Sequence, residues 1–372
     1  DPGSPGRLPR QSVKPLYMPA KFTPHPFTMS SVFPVPDLPR DNPLIEERVT
    51  LGRVLFHETR LSRDNSISCA SCHNERAAFS DPRRFSVGVE GRPGKRQAMP
   101  LFNLAWRNSF FWDGRAPSLR AQALAPIQDH DEMDETLERV VTKLRSSRRM
   151  GAPSNHHGEV SLLTSVPTNS TDYPTLFTAA FGSPEITPEK IGLAIESFVL
   201  TLASFDSKFD RAMRGEAVKL TDEEQRGFAL FFTEYDPRRG QFGADCFHCH
   251  GGANFSNHGF ANNGLDSTFT DPGRFAVTQR ESDRGKFAVP SLRNIALTAP
   301  YMHDGRFATL EEVVAHYSTG MRRSATLDPN FAKHPAGGVQ LSGRDQRALV
   351  AFLETLTEER WKPQAAIITQ AK

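Results

Sequence analysis

Apolar positions spaced three and four residues apart recur at matching places in the two halves of the chain. Residues 194–202 read Ala-Ile-x-x-Phe-x-x-Thr-Leu, and residues 348–356 read Ala-Leu-x-x-Phe-x-x-Thr-Leu. This spacing is typical of a helix that buries one face. The first of these helices is predicted to begin at Thr187 and Pro188, because threonine caps helix N-termini and proline suits the first turn.

A second pair of helices precedes these two. The pattern Gly-x-x-Leu-Phe occupies residues 52–56 and again residues 227–231. The second copy follows Thr221 and Glu224, which have the spacing of a capping box, where each side chain satisfies a backbone N–H at the helix start. Each half is therefore predicted to open and close with a helix, so the chain contains an internal repeat.

The repeat extends through the region between these helices. Asn103 precedes Asp113 by ten residues, and Asn294 precedes Asp304 by the same interval. Each aspartate begins the sequence Asp-Gly-Arg, and five residues later stands a hydroxyl side chain suited to cap a helix. We expect one more helix in each half, with these N-caps: Ser118 and Thr309.

The composition is that of a globular chain long enough for two domains. Of its 372 residues 38% are hydrophobic and 24% are charged, and the formal net charge is +2. So weak a charge predicts no binding of nucleic acid. No apolar run is long enough to span a membrane.

Proline density sets the first domain boundary. Residues 1–43 hold 11 of the 28 prolines, which predicts an extended arm lying on the body, or a flexible lead-in, rather than long helices. The repeat then predicts an N-terminal domain over 44–205 and a C-terminal domain over 206–372. His156 and His157 lie in a polar stretch of the first domain. For this stretch a solvated loop is a better interpretation than a metal site.

All four cysteines belong to two copies of Cys-x-x-Cys-His, at residues 69–73 and 246–250. This is the attachment signature of c-type haem, in which the thiols add to the two vinyl groups of the porphyrin. The following histidine then binds the iron. The predicted attachment residues are Cys69, Cys72, Cys246 and Cys249, and the predicted iron ligands are His73 and His250.

Two zinc sites or two disulfides are the alternatives for these cysteines, but zinc usually needs a second nearby ligand pair. An opening helix, a haem motif and a closing helix form the plan of a cytochrome c domain. The sequence thus predicts an all-α fold of two cytochrome c-like domains related by internal repeat, each with one covalent haem. Since bacteria attach such haems outside the cytoplasm, a periplasmic protein with its signal peptide removed is expected.

The repeat assigns different residues to the distal sides of the two haems. Tyr317 stands thirteen residues after Asp304, and Pro126 stands thirteen residues after Asp113. If this position faces the iron, the second haem receives a phenolate oxygen, a known haem ligand, while the first stays open to a small ligand. A packed Tyr317, with His316 or Met321 as the ligand instead, is the open alternative.

An open haem that splits peroxide needs acid/base help. Glu132 is suited to move a proton between the two oxygens of H2O2, and Gln122 to orient the peroxide. Trp112 precedes the first Asp-Gly-Arg, where the second half has His303. An indole between two haems would relay electrons, although a buried core aromatic explains Trp112 equally simply.

These residues make the chain resemble the bacterial dihaem cytochrome c peroxidase/MauG family. The resemblance covers about residues 51–361 and rests on both haem motifs and on three further segments. These segments are Phe-Trp-Asp-Gly-Arg-Ala at 111–116, Val-Pro-Ser-Leu-Arg-Asn at 289–294 and Pro-Tyr-Met-His-Asp-Gly at 300–305.

The resemblance also implies one calcium ion between the two haem domains. Its protein ligands would be Gln97, Thr298 and Pro300, the last two through backbone carbonyl oxygens, which suit a hard cation. Gln97 stands where the family usually has asparagine, which sets this ligand apart from the family pattern.

Tyr317 and Pro126 match the MauG-like branch of this family. The branch implies a reaction with H2O2 that produces a bis-Fe(IV) state, shared through the tryptophan matched by Trp112. That state oxidises tryptophan in a partner protein, to kynurenine or to a quinone cofactor. The alternatives are a cytochrome c peroxidase that takes electrons from a small redox protein, and a dihaem electron carrier without enzymatic activity.

One departure from MauG concerns the exit route for oxidising equivalents. MauG has a surface tryptophan two residues before its second haem motif, where this chain has Ala244. A different exit and a different partner are therefore expected. The candidate relays, each of which also suits simple core packing, are Trp106, Trp361 and Tyr301.

Overall fold

The computed structural model describes residues 16–146 and 171–362, and the chain within these ranges is mostly helical. Its α-helices are α1 (Glu46–Phe56), α2 (Cys69–Cys72), α3 (Leu119–Gln128), α4 (Leu137–Arg145), α5 (Tyr173–Phe181), α6 (Pro188–Leu200), α7 (Lys208–Met213), α8 (Asp222–Phe232), α9 (Phe247–His250), α10 (Phe275–Thr278), α11 (Leu310–Ala315), α12 (Pro329–Ala332) and α13 (Gly343–Glu354). A π-helical turn spans His316–Gly320.

The described strands are only two residues long and form two antiparallel pairs. In the first pair β1 (Tyr235–Asp236) joins β2 (Gln241–Phe242), and in the second β3 (Phe260–Ala261) joins β4 (Phe287–Ala288). Short 3-10 turns complete the structure at Thr59–Leu61, Glu75–Ala77, Val89–Gly91, Leu104–Trp106, Pro237–Arg239, Glu281–Asp283, Ile295–Leu297 and Glu359–Trp361. The mostly helical architecture agrees with the predicted fold class, while the division into two haem domains stays a prediction.

The predicted helix starts are confirmed. Thr221 and Glu224 form the capping box of α8, and the Thr187 side chain accepts a hydrogen bond at the start of α6. Ser118 caps α3 in the same way, and Thr309 forms a capping box at α11. Local sequence therefore sets these N-termini, because each cap satisfies a backbone N–H that the helix leaves unpaired.

The internal repeat is visible in how the opening and closing helices pack. A side chain added at Gly52 would place its Cβ 1.9 Å from the carbonyl oxygen of Ala194, and one at Gly227 would lie 1.9 Å from that of Ala348. These are equivalent positions in the α1–α6 and α8–α13 pairs. Glycine lets the two backbones of each pair approach more closely than any side chain permits.

Replacing Gly52 by alanine is therefore expected to destabilise the protein by about 2–4 kcal/mol, because the methyl group overlaps a backbone atom that cannot move alone. Denaturant titration measures the change in the free energy of unfolding. Gly343→Ala is the matched control, since the nearest atom to its added Cβ is Arg347 Nη1 at 3.8 Å. Equal unfolding midpoints for the two variants would contradict the packing argument.

Two hydrophobic clusters form the core of the described residues. The larger one is built from α1, α3, α4, α5 and α6, and the smaller one from α8, α11 and α13. Trp361, near the end of the described chain, packs in the larger cluster with its ring centroid 5.1 Å from that of Phe102. The last residues of the second half thus cover the core of the first, which accounts for the burial of Trp361.

The described part of the proline-rich arm, residues 16–43, lies on the helical body. Leu16 N–H donates to the carbonyl of Asp41, and Phe33 is buried. Trp106 donates its indole N–H to the Pro34 carbonyl at 2.7 Å, so this candidate relay packs against the arm. Within residues 16–43 the arm contains no helix. His156 and His157 lie outside the described residues.

Contacts from the second half hold the segment that carries Trp112. Ala288 donates its N–H to the Trp112 carbonyl at 2.7 Å, and Arg274 donates to the Asp113 carbonyl at 2.8 Å. Arg96 pairs with both Asp113 and Asp271. The indole is therefore fixed between the two halves.

Among the described residues, no helix combines the length and the apolar character needed to cross a membrane.

Candidate functional site

Each Cys-x-x-Cys-His motif borders its own cavity. The first cavity, of about 700 Å³, is lined by Cys72, His73 and residues of the loop 94–104. Cys69 lies one helical turn before Cys72, in α2. The second cavity is lined by Cys246, Cys249 and His250, with apolar side chains from α8, α11 and α13. The two cysteine pairs thus serve separate sites and do not converge on one.

Both motif histidines have the same hydrogen-bond arrangement. His73 Nδ1 donates to the Phe79 carbonyl at 3.2 Å, and His250 Nδ1 donates to the Phe255 carbonyl at 3.1 Å. Burial lowers the pKa of both imidazoles, that of His250 to about 4. A neutral imidazole whose Nδ1 carries the proton leaves Nε2 as the ligand atom, with its ring orientation fixed by the carbonyl.

This donor set fits a covalently attached haem better than the alternatives. The first motif borders a cavity of about 700 Å³, which is far more space than a zinc ion enclosed by four side chains needs. All four cysteines are unpaired, so there is no disulfide. When bound, each haem would be held by two thioethers and one histidine: Cys69, Cys72 and His73 in the first cavity, and Cys246, Cys249 and His250 in the second.

The two cavities differ at the predicted distal position. Pro126, inside α3, lines the first cavity, and Tyr317, in the π-helical turn, lines the second. Neither His316 nor Met321 lines the second cavity. His316 instead makes a 3.1 Å hydrogen bond from Nε2 to the Asn263 carbonyl. Of the three side chains considered as ligands of the second iron, Tyr317 has the most suitable placement.

The environment of Tyr317 controls its protonation. Burial raises the pKa of the phenol, while the Asn263 side chain opposes this by donating a 3.2 Å hydrogen bond to the hydroxyl oxygen. The Tyr317 ring stacks on Phe331, with centroids 5.5 Å apart. Sequence reasoning missed Asn263, since an asparagine in a loop has no spacing signal. Its amide is suited to stabilise a phenolate bound to iron.

Gln122, Pro126 and Glu132 all line the first cavity. Burial raises the pKa of the Glu132 carboxyl to about 7, helped by the negative charge of Asp129 and opposed by Arg115. A carboxyl group that titrates near neutral pH is matched to proton transfer. Pro126 has no N–H to donate to the Gln122 carbonyl and no ligand atom in its ring. This side of the cavity therefore offers acid/base chemistry without a side-chain iron ligand.

Trp112 lines both cavities and is buried. Its indole N–H donates to the Gln97 carbonyl at 2.8 Å. The N–H of Gln97 in turn donates to the carbonyl of His303, the residue that the repeat aligns with Trp112. The backbone of Gln97 therefore links equivalent positions of the two halves, with the indole on the path between the cavities.

Each of the three residues that the resemblance implies as calcium ligands can offer an oxygen atom. The side-chain amide nitrogen of Gln97 donates to Ser80 Oγ at 3.0 Å, so its amide oxygen is the atom suited to a cation. Thr298 is buried, and the peptide bond before Pro300 is cis. The calcium assignment stays a prediction.

Tyr301, a candidate relay, lines the second cavity and donates to the Ile295 carbonyl at 3.0 Å.

A cluster of possible metal ligands lies beside the second haem motif, formed by Glu234, Asp245 and His248. Lys333 forms ion pairs with both carboxylates of this cluster. Because the ammonium group already supplies the positive charge that the buried Asp245 carboxylate requires, the cluster is explained as an ion-pair network.

Two independent haem-binding motifs in a helical fold, joined through one buried tryptophan, define a dihaem c-type cytochrome. The family model described as "Di-haem cytochrome c peroxidase" matches residues 46–218. The methylamine utilization protein MauG of Methylorubrum extorquens is 38% identical over 323 residues, which cover 86% of this chain and 81% of that protein. The chain belongs to the dihaem cytochrome c peroxidase/MauG family and is a dihaem peroxidase-like oxidoreductase.

Other relatives represent both branches of the family. Cytochrome c551 peroxidase of Nitrosomonas europaea is 31% identical, over 89% of this chain and 86% of that protein. A solved structure described as a MauG-like protein associated with microbial copper homeostasis is 33% identical, with a TM-score of 0.76, and the match covers 92% of this chain and 98% of that one. Overall similarity alone therefore does not separate the branches.

Proposed function

We propose that this protein is a periplasmic MauG-like dihaem enzyme that uses H2O2 to oxidise tryptophan residues of a partner protein. The observation that carries the proposal is the asymmetry of the two cavities. A tyrosine lines the second where a proline lines the first, and only the first has a carboxyl group with a pKa near 7 beside a glutamine. This asymmetry suits one closed and one reactive haem.

Each named side chain has a distinct part in this scheme. When bound, the haems supply the iron that accepts peroxide and stores oxidising equivalents. Glu132 takes the proton from one peroxide oxygen and returns it to the other, while the Gln122 amide orients the peroxide by hydrogen bonding. Trp112 carries electrons between the two sites.

Each H2O2 that is reduced to two waters consumes two electrons and two protons. Oxidation of the partner tryptophan to N-formylkynurenine releases four of each and takes two oxygen atoms from water, so it uses two H2O2, and hydrolytic loss of formate then gives kynurenine. A quinone would likewise take its oxygen from water through successive two-electron steps.

The competing function is a cytochrome c peroxidase that receives electrons from a small redox protein. The resemblance to Nitrosomonas europaea cytochrome c551 peroxidase favours it. Tyr317 and Pro126 favour the MauG-like reaction instead, because an open first haem and an oxygen-ligated second haem suit storage of oxidising equivalents without an added donor. Calcium bound near Gln97, Thr298 and Pro300 is compatible with both.

Mixing the diferric protein with one equivalent of H2O2, without a donor, distinguishes the two. We expect reaction without prior reduction and an oxidised product that persists for seconds or longer, followed by stopped-flow absorbance and EPR. The Trp112→Phe variant is expected to react with peroxide but to lose the shared product. A protein that reacts only after one-electron reduction, and then turns over with a reduced small c-type cytochrome, would establish the competing function.

The tryptophan chemistry is tested by peptide mass spectrometry. Periplasmic proteins of the producing organism are treated with H2O2 and either the wild type or the Trp112→Phe variant. Oxidised tryptophan at a defined site, present only with the wild type, is the expected result. Equal tryptophan oxidation with both proteins would point to unspecific damage by peroxide and contradict the proposal.

A further inference from the structure

Arg107 is a half-buried cation that has no anionic partner within residues 16–146 and 171–362. Its Nε donates to the Ser109 carbonyl at 3.3 Å and its Nη1 to the Val289 carbonyl at 3.2 Å. Its Nη2 is buried and has no hydrogen-bond partner. Burial is the one resolved influence on its pKa, which it lowers to about 10. A guanidinium in such a place is costly unless a negative charge neutralises it.

His258 lies beside Arg107 and likewise has a buried nitrogen without a hydrogen-bond partner. Its Nδ1 is buried and has no hydrogen-bond partner. Burial and the nearby positive charge of Arg107 together lower the pKa of His258 to about 4. Its backbone is held at a φ of 55°, in the left-handed region that non-glycine residues seldom adopt. Its neighbour Gly259 accepts from Val289 N–H, and the Val289 carbonyl receives the Arg107 bond.

Both side chains line the first cavity, although His258 comes from the second half of the chain. Three of the five carboxylates that line this cavity have positive partners of their own. The other two, Asp129 and Glu132, belong to the segment that follows α3. Asp113 and Asp271 pair with Arg96, and Asp131 pairs with Lys95. Arg293, which also lines the cavity, is neutralised by Asp210 at 2.7 Å. Arg107 is thus distinguished by its missing counter-charge from the other three arginines that line the cavity, since Arg115 is also paired, with Asp113.

We propose that Arg107 and His258 bind one propionate carboxylate of the haem in the first cavity. The propionates are the only anionic groups on the haem and lie away from the vinyl groups that the cysteines capture. A carboxylate accepting from Arg107 Nη2 and from a ring N–H of His258 satisfies both unpartnered groups. The second half of the chain then helps to hold the cofactor of the first. This inference needs only a haem in the first cavity and does not depend on tryptophan oxidation.

The test is the reduction potential of the first haem in Arg107→Gln and His258→Gln, measured by spectroelectrochemistry with EPR assignment of each haem. Loss of the Arg107 charge leaves the propionate unneutralised, which favours the ferric state. We expect about a tenfold rise in the ferric-to-ferrous ratio at fixed applied potential, equal to a 59 mV decrease for a one-electron couple. His258→Gln should change the potential less, because the imidazole is neutral.

Three comparisons separate a propionate contact from a general effect. Arg107→Lys keeps the charge and should restore most of the potential, while Arg344→Gln, an equal charge change at an exposed residue of α13, should leave it unchanged. The propionate bending band of the first haem, seen by resonance Raman, should shift in both Gln variants, and the potential of the second haem should not. An unchanged first-haem potential and an unchanged propionate band in folded Arg107→Gln and His258→Gln would overturn the assignment.

Discussion

Tyr317→Phe is expected to remove the proposed oxygen ligand of the second haem while leaving the second cavity intact. The substitution removes one oxygen atom and keeps the ring that stacks on Phe331. Loss of groups that merely support a metal ligand costs about 10–100-fold, so loss of the ligand itself should slow peroxide-driven oxidation of the partner by more than about 100-fold. EPR of the ferric protein should show a changed second haem and an unchanged first haem.

The matched control is Tyr235→Phe, which removes a hydroxyl from a tyrosine that packs on His334 outside the second cavity. It should retain the spectrum and the activity of the wild type. If Tyr317→Phe kept the wild-type EPR signals while His316 or Met321 variants changed them, the ligand would be one of these residues. The electron-accepting peroxidase would then become the better interpretation.

Glu132→Gln is expected to slow the reaction with H2O2 by about 10²–10⁴-fold, the usual contribution of a positioned acid/base group. The substitution keeps the size of the side chain and removes its ability to accept a proton. The carboxylate is the reactive form, and its pKa is raised to about 7. The wild-type rate constant should therefore increase as the pH rises through about 7 and level off above it.

Stopped-flow measurement of the peroxide reaction between pH 5 and 9 checks this prediction. The pH-dependent limb should be absent in Glu132→Gln. Glu138→Gln, the same change on an exposed residue of α4, should preserve both the rate and the pH profile. A Glu132→Gln protein that retained the wild-type profile would assign proton transfer to another group, and Asp129 and Asp131 also line the cavity.

Features written in local sequence were predictable. Ser118, Thr187, Thr221 and Thr309 cap their helices because a side-chain oxygen three positions from a backbone N–H is a local device. The haem motifs were predictable for the same reason, since both thiols and the histidine lie within five residues. The repeat added the contrast between Tyr317 and Pro126, because it supplied a second copy for comparison.

Features that depend on distant contacts were not predictable. Trp361 packs against Phe102, 259 residues earlier in the sequence, because the end of the described chain crosses to the first core. The π-helical turn that carries Tyr317 has no sequence signature of its own. Arg107 meets His258 only through the packing of the two halves.

One signal for Arg107 was nevertheless present in the repeat. Arg107 follows Asn103 by four residues, and Thr298 follows Asn294 by the same interval. A long cation aligned with a small hydroxyl residue marks a place where the two halves differ in chemistry. The repeat gave a reason to compare the residues at the predicted distal positions, and none to compare the residues expected around the haem edge.

If Trp112 relays electrons between the two halves as proposed, its hydrogen bond determines whether a proton moves with the charge. The indole N–H donates to a backbone carbonyl, that of Gln97, which is far too weak a base to take the proton. An indole that gives up an electron here keeps its proton and becomes a radical cation. Charge can then return along the same path without waiting for a proton to come back. In the proposed function the crossing is expected to be reversible for this reason, and the tryptophan would be spared the deprotonation that commits an oxidised indole to further reaction.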